Sequence, residues 1–279
     1  MKHNKYFSFS IICYLFFHII IYPMNSWASG EFLFPGTRST GLGGAYTAID
    51  QDLEALGYNP AGLKNLKKFN IFSSTKKLYE IDGLRHTVLG FGYGTEKNGV
   101  IGLMYEDLGY SLHTEKTITV GYGRNINRFM GIGANIKLYS IDISGFGSDN
   151  AVGIDLGYQA RIFENVQIGV NAKNINNPKI GSSIKKELNK SITGGLSYIN
   201  DFLILSVDAA KETDYKVQLR TGVELKIFEI ISLRCGYNNE PSRWFYGLGV
   251  NVKKISFSYS QYNHPYLNDT KQFGISIIF

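Results

Sequence analysis

From Phe69 to the C-terminus, apolar and polar residues alternate with period two for about ten residues at a time, each run ending in a short polar or glycine break. In the clearest run, Tyr215, Val217, Leu219, Thr221, Val223, Leu225 and Ile227 share one face. Lys216, Gln218, Arg220, Gly222, Glu224 and Lys226 take the other. A soluble sheet can show this once; recurrence along the chain separates the cases. Val152, Ile154, Leu156, Tyr158, Ala160 and Ile162 oppose Gly153, Asp155, Gly157, Gln159 and Arg161. Met130, Ile132, Ala134, Ile136 and Leu138 oppose Gly131, Gly133, Asn135, Lys137 and Tyr139. A strand of about 9–11 residues, tilted by about 45°, crosses a bilayer.

Such segments fall near residues 69–79, 85–94, 99–109, 115–124, 128–140, 150–162, 166–175, 188–199, 202–211, 215–227, 230–239, 243–253, 255–262 and 270–279. The pattern predicts an all-β protein, a transmembrane antiparallel barrel of about fourteen strands, an even number as single-chain bacterial barrels require. Its polar phase marks Lys137, Asp155, Arg161, Lys216, Arg220, Glu224 and Lys226 as lumen-facing. The longest connections are expected around 140–150, 176–187 and 263–269. The final run places Phe273, Ile275, Ile277 and Phe279 on the lipid face. A terminal aromatic in that phase, Phe279, resembles the signal that outer-membrane proteins present to the barrel assembly machinery.

The N-terminus reads differently. Lys2 and Lys5 precede an apolar core from Phe7 to Tyr22, and Ser26-Trp27-Ala28 has the form of a cleavage site. Residues 1–28 are therefore expected to be an export signal peptide, with an uncleaved anchor as the alternative. After residue 28 no stretch is apolar for long enough to make a transmembrane helix, which strands alternating between lipid and lumen do not need. The 31 glycines and the 19 tyrosines and 18 phenylalanines suit strands, tight turns and aromatic girdles, and only 6 prolines interrupt them. Of the net charge of +6, Lys2 and Lys5 carry two, leaving +4 on lysines scattered singly or in pairs. That is no nucleic-acid footprint. Cys235 alone follows the signal peptide, so no internal disulfide is expected.

Between signal and barrel lies Gly36–Leu63, GTRSTGLGGAYTAIDQDLEALGYNPAGL. Its run Gly36, Arg38, Gly41, Leu42, Gly43, Gly44, Ala45, Tyr46, Thr47 and Ala48, then Asp50 and Asp52, then Tyr58 to Leu63, resembles the N-terminal plug, or hatch, of FadL-like outer-membrane barrels. The resemblance is nearest to the PorV/PorQ branch. Looser signatures, such as Asp155-Leu156-Gly157-Tyr158 and Leu233-Arg234-Cys235-Gly236-Tyr237, extend it through the barrel. The resemblance implies residues 29–68 as a plug inside a barrel of residues 69–279, and fourteen strands. It also implies one of two activities in the outer membrane of a Gram-negative-type bacterium. One is uptake of hydrophobic small molecules through a plugged channel. The other is a non-transporting accessory role with protein partners of the type IX secretion kind. A soluble periplasmic β-protein is the remaining reading of the alternation.

Within the plug, Arg38, Gly41, Gly43, Gly44, Asp50, Asp52, Asn59, Pro60 and Ala61 are the gating candidates. The glycines permit positive φ and close approach to a wall. Asp52 is expected to cap a short helix over Leu53–Leu56 ended by Gly57, and Pro60 to hold Asn59 extended. Arg38, Asp50, Asp52 and Glu54 are expected to fix the plug to the barrel wall, since buried charges need partners. The plug is either an immobile cork or a part that moves in transport. His86, His113 and His264 lie on separate segments with no triad around them, and no zinc or calcium spacing occurs. Gly41-Leu42-Gly43-Gly44 lacks the following Gly-Lys-Ser/Thr of a phosphate loop. The sequence thus predicts no enzyme, no cofactor and no metal; the expected surroundings are outer-membrane lipid and a hydrophobic ligand or secretion proteins.

Overall fold

The computed structural model describes residues 33–279 apart from 51, 67, 96–97, 182–184 and 214. The expected signal peptide, and residues 29–32 of the expected plug, lie outside the described residues. Fourteen antiparallel strands close into a barrel. Seven come before the longest connection: β1 (Lys68–Lys77), β2 (Arg85–Thr95), β3 (Gly99–Tyr110), β4 (His113–Asn125), β5 (Met130–Ile143), β6 (Gly147–Phe163) and β7 (Val166–Lys173). The connection carries a two-stranded ribbon, β8 (Lys179–Ile180) and β9 (Lys186–Glu187). Seven follow it: β10 (Ser191–Ile199), β11 (Leu203–Glu212), β12 (Gln218–Ile227), β13 (Ile231–Asn239), β14 (Ser242–Val252), β15 (Ile255–Tyr262) and β16 (Thr270–Ile278).

Each strand pairs with its sequence neighbour, β7 pairs with β10 across the ribbon, and β1 pairs with β16 from Asn70↔Ile278 to Lys77↔Lys271. No edge is left. The seam is finished by the last residue, whose amide donates to Phe69 O at 2.9 Å and whose ring lies 5.6 Å from that of Phe69. Phe279 faces outward and is half exposed.

The barrel is polar inside and apolar outside. Leu89, Phe91, Ile101, Leu103, Ile136 and Val152 stand exposed on the outer surface, whereas Asn135, Asp155, Gln159, Asp208 and Glu224 are buried within. A continuous apolar exterior of this kind far exceeds the few hundred Å² that water-soluble monomers expose, and its natural solvent is hydrocarbon. Among the described residues no helix is long and apolar enough to cross a membrane.

Three boundaries differ from the alternation. The expected loop at 140–150 is mostly strand, because β5 and β6 go on pairing to Ile143↔Gly147. Ser148, Asp149 and Asn150 are polar on both faces, so no alternation announces them. The first strand stops at Lys77, where Leu78–Glu80 form a 3₁₀ turn with Tyr79 and Glu80 at positive φ. β12 begins at Gln218 rather than Tyr215, since the Tyr215 amide donates to Glu212 O in a turn. Lys216 therefore lies exposed in the connection before β12, not on the lumen wall.

The phase within β12 carries a direct test. Val223 faces outward at the middle of the strand, opposite Leu205 and Cys235. Val223→Arg is expected to destabilise the folded barrel by roughly 2–4 kcal/mol, as arginine does on a lipid face near the midplane. Lys226→Gln, inside, is expected to be neutral for assembly. Urea unfolding in lipid vesicles, read with heat-modifiable gel mobility, compares the two; equal damage would reverse the assigned faces.

Candidate functional site

Residues 33–50 and 52–66 lie inside the barrel, and most of them are buried. A five-residue helix, α1 (Thr37–Gly41), is followed by 3₁₀ helices at Leu53–Gly57 and Pro60–Asn65. Gly43 (φ 63°) and Gly44 (φ 75°) end α1, their amides donating to Thr40 O and Ser39 O at 2.9 Å each. Asn59 is extended, and its Oδ1 accepts from the Ala61 amide at 3.1 Å, with Pro60 opening the second 3₁₀ helix.

The segment meets the wall backbone to backbone, along inward-facing glycines. A Cβ at Gly236 would stand 2.3 Å from Gly43 N, one at Gly133 2.4 Å from Pro60 C, and one at Gly169 2.2 Å from Thr47 O. Many of these glycines are ladder partners of one another: Gly92↔Gly102, Gly102↔Gly121, Gly123↔Gly133, Gly133↔Gly157, Gly169↔Gly195 and Gly222↔Gly236. They form a belt around the lumen at the level of the segment. Gly247 on β14 continues it, packed on Gly41 of the segment. Most of the glycine excess is explained here rather than in turns.

Charge fixes the segment at one place. The Arg38 guanidinium donates to both oxygens of Glu224 on β12, Nε to Oε2 at 2.8 Å and Nη2 to Oε1 at 3.1 Å. Its Nη1 reaches Asp52 Oδ2 at 2.7 Å, and Tyr46 OH donates to the same carboxylate. Glu224 is shared with Arg234 of β13, whose Nε lies 2.7 Å from Oε2. A bidentate, charge-assisted pair of this kind is among the stronger contacts available inside a protein.

The other predicted acids bond within the segment and do not reach the wall. Asp52 precedes the Leu53–Gly57 helix without capping it, because Arg38 and Tyr46 occupy its carboxylate. Glu54 takes the amides of Arg38 and Ser39 at 3.1 and 2.8 Å, which makes it the acceptor for the first turn of α1. Burial pushes the Glu54 carboxyl up, and the neighbouring Asp52 adds to this against those two donors. Asp50 accepts from Asn65 Nδ2 at 2.7 Å and lies 3.7 Å from Lys64 Nζ. Burial pulls the Lys64 ammonium down, partly offset by Asp50.

Most wall contacts come from residues the sequence did not single out as a site. Asp208 Oδ2 accepts the amides of Tyr46 and Thr47, both at 2.9 Å. Gln159 Nε2 donates to Thr47 O and Ile49 O, and its Oε1 accepts from Lys64 at 2.7 Å. Asn135 reaches Leu56 O at 3.0 Å, Lys173 reaches Gly57 O at 2.8 Å, and Lys76 reaches Phe34 O at 2.7 Å. The lumen phase was the available signal; which inward residue meets which segment atom depends on register. Of the candidates, Lys137 pairs with Asp155 at 2.8 Å. Arg220 donates to Gln218 Oε1 at 2.7 Å and lies 6.0 Å from the Phe34 ring centre. Arg161 is exposed at the mouth that carries the chain's C-terminus, beside Gln167 and Lys226.

Two apolar clusters complete the packing, one around Phe34, Tyr46, Tyr58, Phe245 and Tyr262, the other joining Leu53, Leu56, Leu63 and Leu66 to Phe72, Val88, Val100 and Met104. Beyond the segment, at the end away from the C-terminus, a cavity of about 410 Å³ is lined by Glu106, Lys137, Tyr139 and Lys173 over Pro35 and Gly57. An apolar crevice of about 360 Å³ adjoins it at Leu33, with Leu78, Leu84, Leu108 and Tyr110. Among the described residues, no group of three or more His, Cys, Asp or Glu could hold a metal ion.

No protein-family model matches the chain, and no curated protein matches it in sequence. Solved structures do match in fold. The Ralstonia pickettii toluene transporter TbuX superposes with a TM-score of 0.66 at 12% identity, over 88% of this chain and 98% of its own. The P. putida toluene transporter TodX gives 0.64 at 13%, over 86% and 97%. A Pseudomonas aeruginosa FadL homologue gives 0.65 at 9%, over 89% and 99%. This chain thus has a FadL-like barrel fold, closed and fourteen-stranded.

Three substitutions test how the segment is held. Asp208→Ala strands two buried amides at about 1–3 kcal/mol each, and Arg38→Ala leaves Glu224 and Asp52 short of their cation, at roughly 3 kcal/mol. Both are expected to speed amide hydrogen exchange in residues 36–63 while the strands stay protected. Unchanged exchange in the segment would contradict the assigned tethers. Gly236→Ala is expected to do the same sterically, by forcing Gly43 off the wall.

Proposed function

We propose that this protein is an outer-membrane β-barrel of a Gram-negative-type bacterium, exported by residues 1–28, in which residues 33–66 act as the plug of an uptake channel for hydrophobic small molecules. The observation that carries the reading is a barrel with reversed polarity whose lumen is filled by an ordered segment, in the fold of proteins described as toluene transporters. The apolar crevice beside Leu33 supplies a place for a hydrophobic molecule at the end away from the C-terminus. From there, passage requires the segment to shift, and Arg38, Asp208 and Gln159 are the contacts that resist it. Phe279, closing the seam on its outward face, is the proposed signal to the assembly machinery, and no catalytic step is part of the reading.

The second reading is a PorV/PorQ-like accessory that binds secretion proteins and transports nothing. The observation favouring it is the density of wall bonds on the segment, which suits a permanent cork.

Uptake distinguishes the two. A deletion strain complemented with the wild-type gene is expected to accumulate labelled monoaromatic hydrocarbon several-fold faster than the uncomplemented strain, and the Arg38→Ala gene to change that rate. Equal uptake in all strains, with secretion components co-purifying, would decide for the accessory. Recovery of the mature protein in the soluble fraction would end both readings.

A further inference from the structure

A second cavity, of about 240 Å³, lies between the internal segment and the wall of β12–β16 and β1, toward the end bearing the C-terminus. That is several times the ~30 Å³ of one liquid water. Its lining is unusual for a site in a carrier of hydrocarbons. Ser232, Ser256, Ser258 and Ser276 project into it from three strands, and six charged residues, Arg38, Asp52, Glu54, Glu224, Lys226 and Arg234, border it.

The charges are equal in number but not equally engaged. Each carboxylate is engaged, Glu224 by two guanidiniums, Asp52 through Oδ2 by Arg38 and Tyr46, and Glu54 by two backbone amides; Asp52 Oδ1 is buried without a partner. The donors are not exhausted. Arg234 is only 7% exposed, yet its buried Nη1 has no hydrogen-bond partner. The Lys226 ammonium has neither a hydrogen bond nor an ion pair among the described residues, its amide alone donating, to Phe202 O. A buried cationic N–H without an acceptor is costly, and with two cationic groups short of acceptors against one unpartnered carboxylate oxygen, the balance at this cavity is toward acceptor oxygens.

An access route exists. Lys226 and Asn251 border both this cavity and a wider one of about 490 Å³ at the mouth, where Arg161, Gln167 and Asn200 lie together with the carboxylates of Glu164, Asp201 and Glu229. A solute arriving at that mouth meets Lys226 first and Arg234 behind it.

We propose that this cavity is a binding site for a small oxyanionic group, held by Lys226 and Arg234 with the serine hydroxyls as further donors. Hydroxyl rows and a guanidinium with free N–H groups suit the several acceptor oxygens of a phosphate or carboxylate. The site does not depend on what crosses the lumen. It stands one residue pair from the segment's anchor, because Arg234 shares Glu224 with Arg38. An oxyanion drawing on Arg234 therefore competes with Glu224 for the same guanidinium and loosens the point at which the segment is tied to β12.

The test is direct binding to the purified full-length protein in dodecyl maltoside, by titration calorimetry at fixed ionic strength in chloride. The probes are inorganic phosphate and, separately, short-chain phosphatidic acid. Saturable binding is expected, weakened at least tenfold by Lys226→Gln, retained by Lys226→Arg and unaffected by Lys216→Gln in the exposed connection. Ser258→Leu, which fills the cavity without touching a charge, is expected to abolish it. Heat-modifiable mobility verifies that each variant is folded. Binding of phosphate identifies a free oxyanion as the ligand, and binding of phosphatidic acid alone identifies a lipid headgroup. No saturation with either probe, or equal saturation of wild type and Lys226→Gln, overturns the site. Because the readout is binding, its failure leaves the uptake reading untouched, and loss of the uptake reading leaves the site standing.

Discussion

The pairing of β1 with β16 is the constraint on which everything else rests. In hydrocarbon an unpaired backbone amide has no water to turn to and costs several kcal/mol, so a sheet exposing this apolar exterior must close on itself. Closure with fourteen strands encloses more space than wall side chains fill. Alternation then sends most polar residues of the strands into that space, and polar groups shut away from water must find partners. The internal segment answers both demands at once. It occupies the volume and gives Asp208, Gln159, Asn135, Lys173 and Lys76 backbone groups to bond.

The arrangement also explains why so few charges on the segment reach outward. A helix as short as α1 exposes nearly all of its amides, and Glu54 satisfies two of them from within the segment. Asp50 and Asp52 are likewise spent on Lys64, Asn65, Tyr46 and Arg38. What remains to join segment and wall as an ion pair is one guanidinium on one carboxylate. The rest of the joint is made of hydrogen bonds in which at least one partner is neutral, some from Asp208, Lys173 and Lys76 to segment backbone, and they are spread over many strands.

Much of this was legible in the sequence. A strand between lipid and lumen leaves a period-two signature because its two solvents differ so sharply, and the runs at 85–94, 99–109, 166–175 and 255–262 fall within two residues of β2, β3, β7 and β15. The signature fails where that contrast ends. At Ser148–Asn150 both faces meet water and the strand continues unannounced; at Tyr215–Val217 the alternation outlasts the strand. Within the segment, local rules allowed the positive φ found at Gly43 and Gly44 and placed the extended Asn59, since both are set by neighbouring backbone. The same rules misassigned Asp52, because its better partner, Arg38, is 14 residues away. Asp208 was beyond reach altogether, its meeting with Tyr46 and Thr47 being fixed by register accumulated around the barrel.

The glycine belt has a mechanical consequence. Interlocked side chains act like gear teeth: one body cannot turn against another unless many of them jump together. Where Gly133, Gly169 and Gly236 meet the segment, there are no teeth, only backbone lying on backbone. The teeth are elsewhere, in the two apolar clusters where Tyr46, Leu53 and Leu56 interlock with Phe245, Val88 and Met104. The belt is therefore a plain bearing set between toothed sections, and the segment's position is held by those clusters together with its bonds to the wall, of which Arg38 on Glu224 is the bidentate ion pair.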